Sequence, residues 1–177
     1  NFLQGSKTRK IKEVYLDYAA ATPLEPAVSR AMQKVYKRYF ANPSSIHHLG
    51  VEAERVLAQA RKEVATILEA RPNEIIFTSG STESNNLAII GVLNALAEKL
   101  PHIVTTNIEH SSVFEICKYL EETKKAKVTY VEVETSGMMD PKKIKKALKP
   151  NTVLVSMMYA NSEIGTVQPL REIAKEI

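Results

Sequence analysis

Three short segments carry residues whose types and spacing suit chemistry. In TSGSTESNN, residues 78–86, Gly80 permits a tight turn before a helix predicted to begin near Glu83. Ser79, Ser81 and Thr82 would place hydroxyls beside the free N–H groups of that helix start, an assembly suited to a phosphate. The same residue types are also ordinary helix N-caps. The segment has neither the lysine of a nucleoside-triphosphate P-loop nor a GxGxxG dinucleotide turn. The second segment is Glu109-His110, directly after the apolar run HIVTTN. A histidine there can stack on a ring or move protons, or it can be a surface loop residue. The third is YANSEIG, residues 159–165, in which Asn161 can both donate and accept hydrogen bonds. An asparagine ahead of Gly165 is equally at home in a plain turn.

Two further features read as structural. His47 and His48 are adjacent, so they point in different directions, and no acid or cysteine is spaced to complete a metal site; a loop role is expected. Cys117 is the single cysteine, which leaves no partner for an internal disulfide and suits a reducing compartment. It falls among Val113, Ile116 and Leu120 at helical spacing, where a buried thiol is the expected reading.

The candidate residues need a scaffold, and the chain alternates short strands with longer helices. Strands are predicted over 13–17, 74–79, 102–107, 127–133 and 152–159. Helices are predicted over 26–40, 51–70, 83–100, 112–125 and 140–149, with another starting at PLREIAKEI. Pro26 suits a first helical turn. This alternation predicts an α/β fold, a mostly parallel sheet with flanking helices and right-handed crossovers. In such a sheet ligands gather at the carboxyl ends of the strands, where all three segments fall. Four core strands make a small sheet, and the last predicted helix is still open at Ile177, so more of the sheet is expected downstream. Residues 1–13 form a basic N-terminal segment whose NFLQGS opening is compatible with a vector-derived scar. Residues 14–50 carry the first helix and a loop, and 51–177 a partial large domain.

Composition bounds the function. The chain has 177 residues, 44% apolar and 25% charged, with a net charge of +4. No apolar run approaches the roughly 18 residues of a membrane span, and no secretory signal is visible. Lysines cluster in KKIKKALK, residues 142–149, where Ile144 and Leu148 mark one buried stripe of a solvated helix. With little aromatic interleaving, these runs do not read as a nucleic-acid surface.

Five segments taken in order resemble the cysteine desulfurase family, class V of the fold-type I pyridoxal-phosphate enzymes. They are YLDYAAATP at 15–23, NPSSIHHLG at 42–50, EIIFTSGSTESNN at 74–86, EHSSV at 109–113 and VSMMYANSEIGTVQP at 155–169. The style is similar to the housekeeping iron–sulfur group. The resemblance implies an incomplete large domain of the fold-type I transferase fold, with pyridoxal 5'-phosphate as cofactor. Thr82, with Ser81, would hold the cofactor phosphate. His110 would stack over the pyridine ring and assist proton transfer. Asn161 would lie near the ring hydroxyl and the substrate carboxylate. Ala21, Ser81 and Ser162 stand where threonine, alanine and asparagine are common.

The resemblance also implies absences. The aspartate for the pyridine nitrogen, the lysine that holds the cofactor covalently, the substrate-binding arginine and the persulfide cysteine would all lie downstream. The chain alone is therefore expected to be inactive and to carry no covalent cofactor. The implied enzyme takes sulfur from L-cysteine, leaves L-alanine, and passes a persulfide to a sulfur-acceptor or scaffold protein for iron–sulfur cluster or thio-cofactor assembly. A homodimer is implied when complete, in the cytoplasm or, in a eukaryote, the mitochondrion. Selenocysteine lyase, another class V fragment, and a truncated non-catalytic binding homologue are the alternatives.

Overall fold

The computed structural model describes residues 14–96 and 100–177. The basic segment 1–13 and residues 97–99, the end of the helix predicted over 83–100, lie outside the described residues. The first helix, α1 (Pro26–Arg38), opens with Pro26 in its first turn and the Glu25 carboxylate accepting from the Ala27 N–H. The second, α2 (His48–Ile67), starts earlier than the composition of the preceding loop suggests. His47 is its N-cap, its Nδ1 accepting from the Gly50 N–H at 3.3 Å. The two histidines are therefore a cap and a first helical residue, not loop. Gly50 is needed there, because a Cβ would collide with the Ser45 carbonyl.

The sheet has three parallel strands in the order β2-β1-β3: β1 (His102–Thr106), β2 (Lys127–Val131) and β3 (Thr152–Val155). The helices α3 (Ser81–Ala95) and α4 (Ser111–Glu122) supply Ile89, Val113, Ile116, Cys117 and Leu120 to a core around Ile103. A second core gathers Ile144 of α5 (Pro141–Ala147) and Ile173 of α6 (Leu170–Ala174) with Val104 and Val131. Successive side chains of a strand point to opposite faces, so Ile103 and Val104 anchor the two cores on the two faces of one sheet. Asp140 caps α5, accepting from the Lys142 N–H at 2.9 Å.

Two predicted strands do not form among the described residues. Residues 14–17 and 75–79 join no sheet there. The stretch expected over 74–79 begins in a short 3-10 turn, Pro72–Glu74, and continues unpaired, with Ile76 68% and Phe77 47% exposed. An alternating apolar run forms a strand only where a neighbour completes its ladder. The remaining strands are also shorter than predicted. β3 stops at Val155 instead of 159, because after the Ser156 N–H has met the Val104 carbonyl the Met158 N–H turns to a side chain, Glu109.

At the opposite end of the sheet, His102 ties the three strands together. Lys149 Nζ donates toward its Nε2 at 3.2 Å, so Nδ1 carries the proton and donates to Thr152 Oγ1 at 2.8 Å. Thr129 Oγ1 lies 2.8 Å from Nε2. Burial, then the charges of Lys149 and Lys127, depress the histidine below its ordinary value of 6.5. A depressed base leaves the unfolded chain binding more protons, so this contribution is whole above about pH 6.5 and is lost as pH falls below it. Urea unfolding should show stability declining from pH 7 toward pH 5, and His102→Gln should flatten that slope while costing about 1–3 kcal/mol at pH 7. An unchanged slope would show that His102 is not the group responsible.

Candidate functional site

The carboxyl end of β1 is where most candidate residues meet. The strand ends at Thr106, and four residues later α4 begins with His110 as its N-cap. Two side chains extend the lost ladder. Asn107 Oδ1 accepts from the Val133 N–H at 3.1 Å, and one Glu109 oxygen accepts from Thr106 Oγ1 at 2.6 Å and from the Met158 N–H at 3.0 Å. Burial pushes the Glu109 carboxyl above its ordinary value of 4.5, and these two hydrogen bonds pull partly the other way. The segment after β3 is pinned from both sides. Asn161 Nδ2 donates to the Ile108 carbonyl at 3.2 Å, while its Oδ1 accepts from the Glu163 and Ile164 N–H groups at 2.8 and 3.1 Å. Gly165, at φ 73°, lets this loop turn back. Its return arm is held by the buried Gln168, which accepts from the Met139 N–H and donates to the Gly137 carbonyl, each at 2.8 Å.

The result is a cleft of about 300 Å³ lined by Ile108, Glu109, His110, Met158 and Asn161 together with residues 162–164. His110 and Asn161 both line it. Asn161 is also the turn-forming asparagine that was its plainer reading, and one amide N–H remains for a ligand.

Ser81 and Thr82 lie at the start of α3, which begins two residues earlier than expected, after Gly80. Gly80 has φ 163°, an extended backbone, so its turn needs no left-handed residue. The first N–H groups of the helix have no intrahelical acceptor. Ser79 is not part of a free hydroxyl set: its N–H and Oγ both donate to Glu83 Oε2, at 2.7 and 2.6 Å, and hold that carboxyl below its ordinary range. Thr82 lines a separate open groove of about 410 Å³ with Asn86, Ser111, Ser112 and Tyr119. Ser112 of the groove bonds to His110 of the cleft: its Oγ accepts from Asn85 Nδ2 and contacts His110 Nδ1, each at 2.8 Å. The starts of α3 and α4 are thus joined side by side.

Residue type and spacing assign no role to Glu109, Asn85 or Ser112. Glu109 had a signal, an acid beside a candidate histidine at a strand end. The Asn85–Ser112 bond joins residues 27 positions apart and leaves no local pattern. Cys117 is buried, and desolvation pushes its thiol up to about 11, as expected of a core side chain. No helix among the described residues is long and apolar enough to cross a membrane.

Comparison with known proteins identifies the family. The model of the family "Aminotransferase class-V" matches residues 14–177. A cysteine desulfurase IscS of Dictyoglomus turgidum is 49% identical over 164 residues, 93% of this chain and 41% of the relative. A mitosomal cysteine desulfurase of Trachipleistophora hominis is 45% identical over 175 residues, 97% of this chain and 39% of the relative. The chain therefore spans about two-fifths of the curated relatives it matches. Among solved structures, "SspA in complex with cysteine" superposes with a TM-score of 0.85 at 40% identity, over 92% of this chain and 46% of that one. A "NIFS-like protein" gives 0.84 at 37% identity, over 89% and 43%.

Glu109 offers a direct check on the cleft. Glu109→Ala removes the acceptor of two hydrogen bonds and should cost about 1–3 kcal/mol in denaturant unfolding. Glu109→Gln keeps an oxygen acceptor and should recover most of that. A carboxyl raised on folding is stabilising below its unfolded value, and that contribution is lost as pH rises through its folded value, so Glu109→Gln should also abolish a stability decrease above about pH 4.5. Equal stability of the alanine and glutamine variants would count against the hydrogen-bonding role.

Proposed function

This chain belongs to the aminotransferase class-V family, and from that premise we propose that it supplies the phosphate- and ring-binding side of a pyridoxal-phosphate-dependent cysteine desulfurase. The observation that carries the proposal is the pairing of the two helix starts, with free donors at α3 and an exposed imidazole at α4, bridged by the Asn85–Ser112–His110 contacts.

The residues present fit the cofactor. Neither the Ser81 nor the Thr82 hydroxyl makes a hydrogen bond among the described residues, and with the helix N–H groups they offer several donors to a phosphate. His110 would stack on the pyridine ring, and its Nε2 makes no hydrogen bond among the described residues. The spare N–H of Asn161, on the same cleft, would serve the ring hydroxyl or the substrate carboxylate. Pyridoxal phosphate, when bound, supplies the electron sink for bond breaking at the substrate. His110 would then hold or move a proton on the substrate, and Glu109 would keep its loop in place.

The substrate proposed is L-cysteine, the molecule with which the SspA neighbour is described. The products would be L-alanine and a persulfide, passed to a sulfur acceptor for iron–sulfur cluster or thio-cofactor assembly by a homodimeric enzyme. Cys117, buried and with its thiol raised, is unsuited to carry the persulfide, so another cysteine is proposed for that step.

Two measurements on the full-length protein test this. His110→Ala should retain cofactor by absorbance yet form alanine about 10²–10⁴-fold more slowly, the range for a lost general acid–base group. Thr82→Ala should weaken cofactor binding by about 10–100-fold, the value of a hydrogen bond to a charged group. Normal turnover in the histidine variant, or no cofactor binding by the unaltered protein, would overturn the proposal.

A further inference from the structure

The hydrogen bonds around His110 have a direction that follows from one of them. The Ser112 backbone N–H donates to His110 Nδ1 at 3.1 Å. A backbone N–H can only donate, so Nδ1 presents a lone pair and the proton of the neutral ring sits on Nε2. The Ser112 hydroxyl lies 2.8 Å from the same nitrogen. Since Nδ1 accepts, that hydroxyl must donate to it. The hydroxyl oxygen is then free to accept, and Asn85 fills that place with Nδ2 at 2.8 Å. Turning the Asn85 amide over would give the single hydroxyl proton two acceptors and leave one short contact between lone pairs. Reversing the His110–Ser112 bond would set a ring N–H against the Ser112 N–H. One arrangement satisfies all three groups, and it runs from Asn85 through Ser112 to His110.

Ser112 is 7% exposed, and the chain of bonds crosses from α3 to α4. Two donors converge on Nδ1, and rotating the ring would break both bonds.

We propose that Asn85 and Ser112 are positioning residues that hold His110 in its Nε2–H tautomer, leaving Nε2 as the ring nitrogen available to a ligand. The use of this tautomer rests on the reading of His110 given above: it makes the imidazole a hydrogen-bond donor toward a bound substrate when the ring is neutral.

Long-range ¹H–¹⁵N correlation spectra of the ¹⁵N-labelled full-length protein, free of cofactor and with His110 assigned through His110→Gln, read the tautomer directly. The unaltered protein should show Nδ1 unprotonated and Nε2 protonated. Ser112→Ala should shift the tautomer ratio about fivefold toward Nδ1–H, the size of one neutral hydrogen bond. Ser112→Thr, which keeps the hydroxyl, should restore it. Asn85→Asp changes little in shape but draws the hydroxyl proton away from His110, so it should shift the ratio in the same direction with Ser112 still present. It also serves where Ser112→Ala fails to fold. A mixed tautomer in the unaltered protein, or variants that fold and leave the ratio unchanged, would overturn the inference. A parallel pyridoxal phosphate titration followed by absorbance separates the two readings: failed binding removes the proposed function and leaves the tautomer result standing.

Discussion

All five residues of β1, His102 to Thr106, are buried. A parallel strand in that position must find partners for both of its ladders and cover for both of its faces, because an unpaired buried backbone group costs about as much as a lost hydrogen bond. β2 and β3 meet the first demand, and the helices on either face meet the second. His102 then links the neighbouring strands through side chains at one end. The other end of β1 must stop being a strand without leaving its backbone unsatisfied, and that is where the candidate site lies.

The ending of β1 explains why polar residues collect there. When the ladder stops, amide groups of the flanking segments lose their regular partners. Asn107 takes the Val133 N–H, Glu109 takes the Met158 N–H, and Asn161 reaches back to the Ile108 carbonyl. The same bonds fix residues 106–110 against 156–161, so His110 emerges from a loop with little freedom. Closing the ladder and positioning the imidazole are one act of hydrogen bonding. That is why a half-buried carboxylate is retained at Glu109, although burial opposes its charge.

Much of this was legible in the sequence, for local reasons. Pro26 in a first turn, the α/β alternation, the lysine-faced helix around Ile144, the buried Cys117 and the places of His110 and Asn161 beyond strand ends all follow from spacing and residue type. The misreadings share a different cause. EIIFTS has the apolar, β-branched make-up of a short strand, yet Ile76 and Phe77 stand exposed because no strand among the described residues lies beside them. His47 sits in a stretch of loop composition, and its capping depends on the Gly50 N–H three residues on, a role unusual for histidine. Glu109, Ser112 and Asn85 act through partners distant in sequence, and periodicity is silent about those.

The N-terminal helices sharpen that distinction. Val28, Met32 and Val35 fall on one face of α1 at helical spacing, yet they are 47%, 40% and 40% exposed. On α2 only Gly50, Ala53 and Ala65 are buried, while Ile67 is 80% exposed. An apolar stripe is a local property, set by which residues recur every three or four positions. Burial is a property of whatever lies opposite. α4 and α5 meet both conditions because β1 and its neighbours present an apolar face to each. α1 meets the first alone. The stripe is thus enough to read a helix from the sequence, whereas the core that covers it can be read only from the partner.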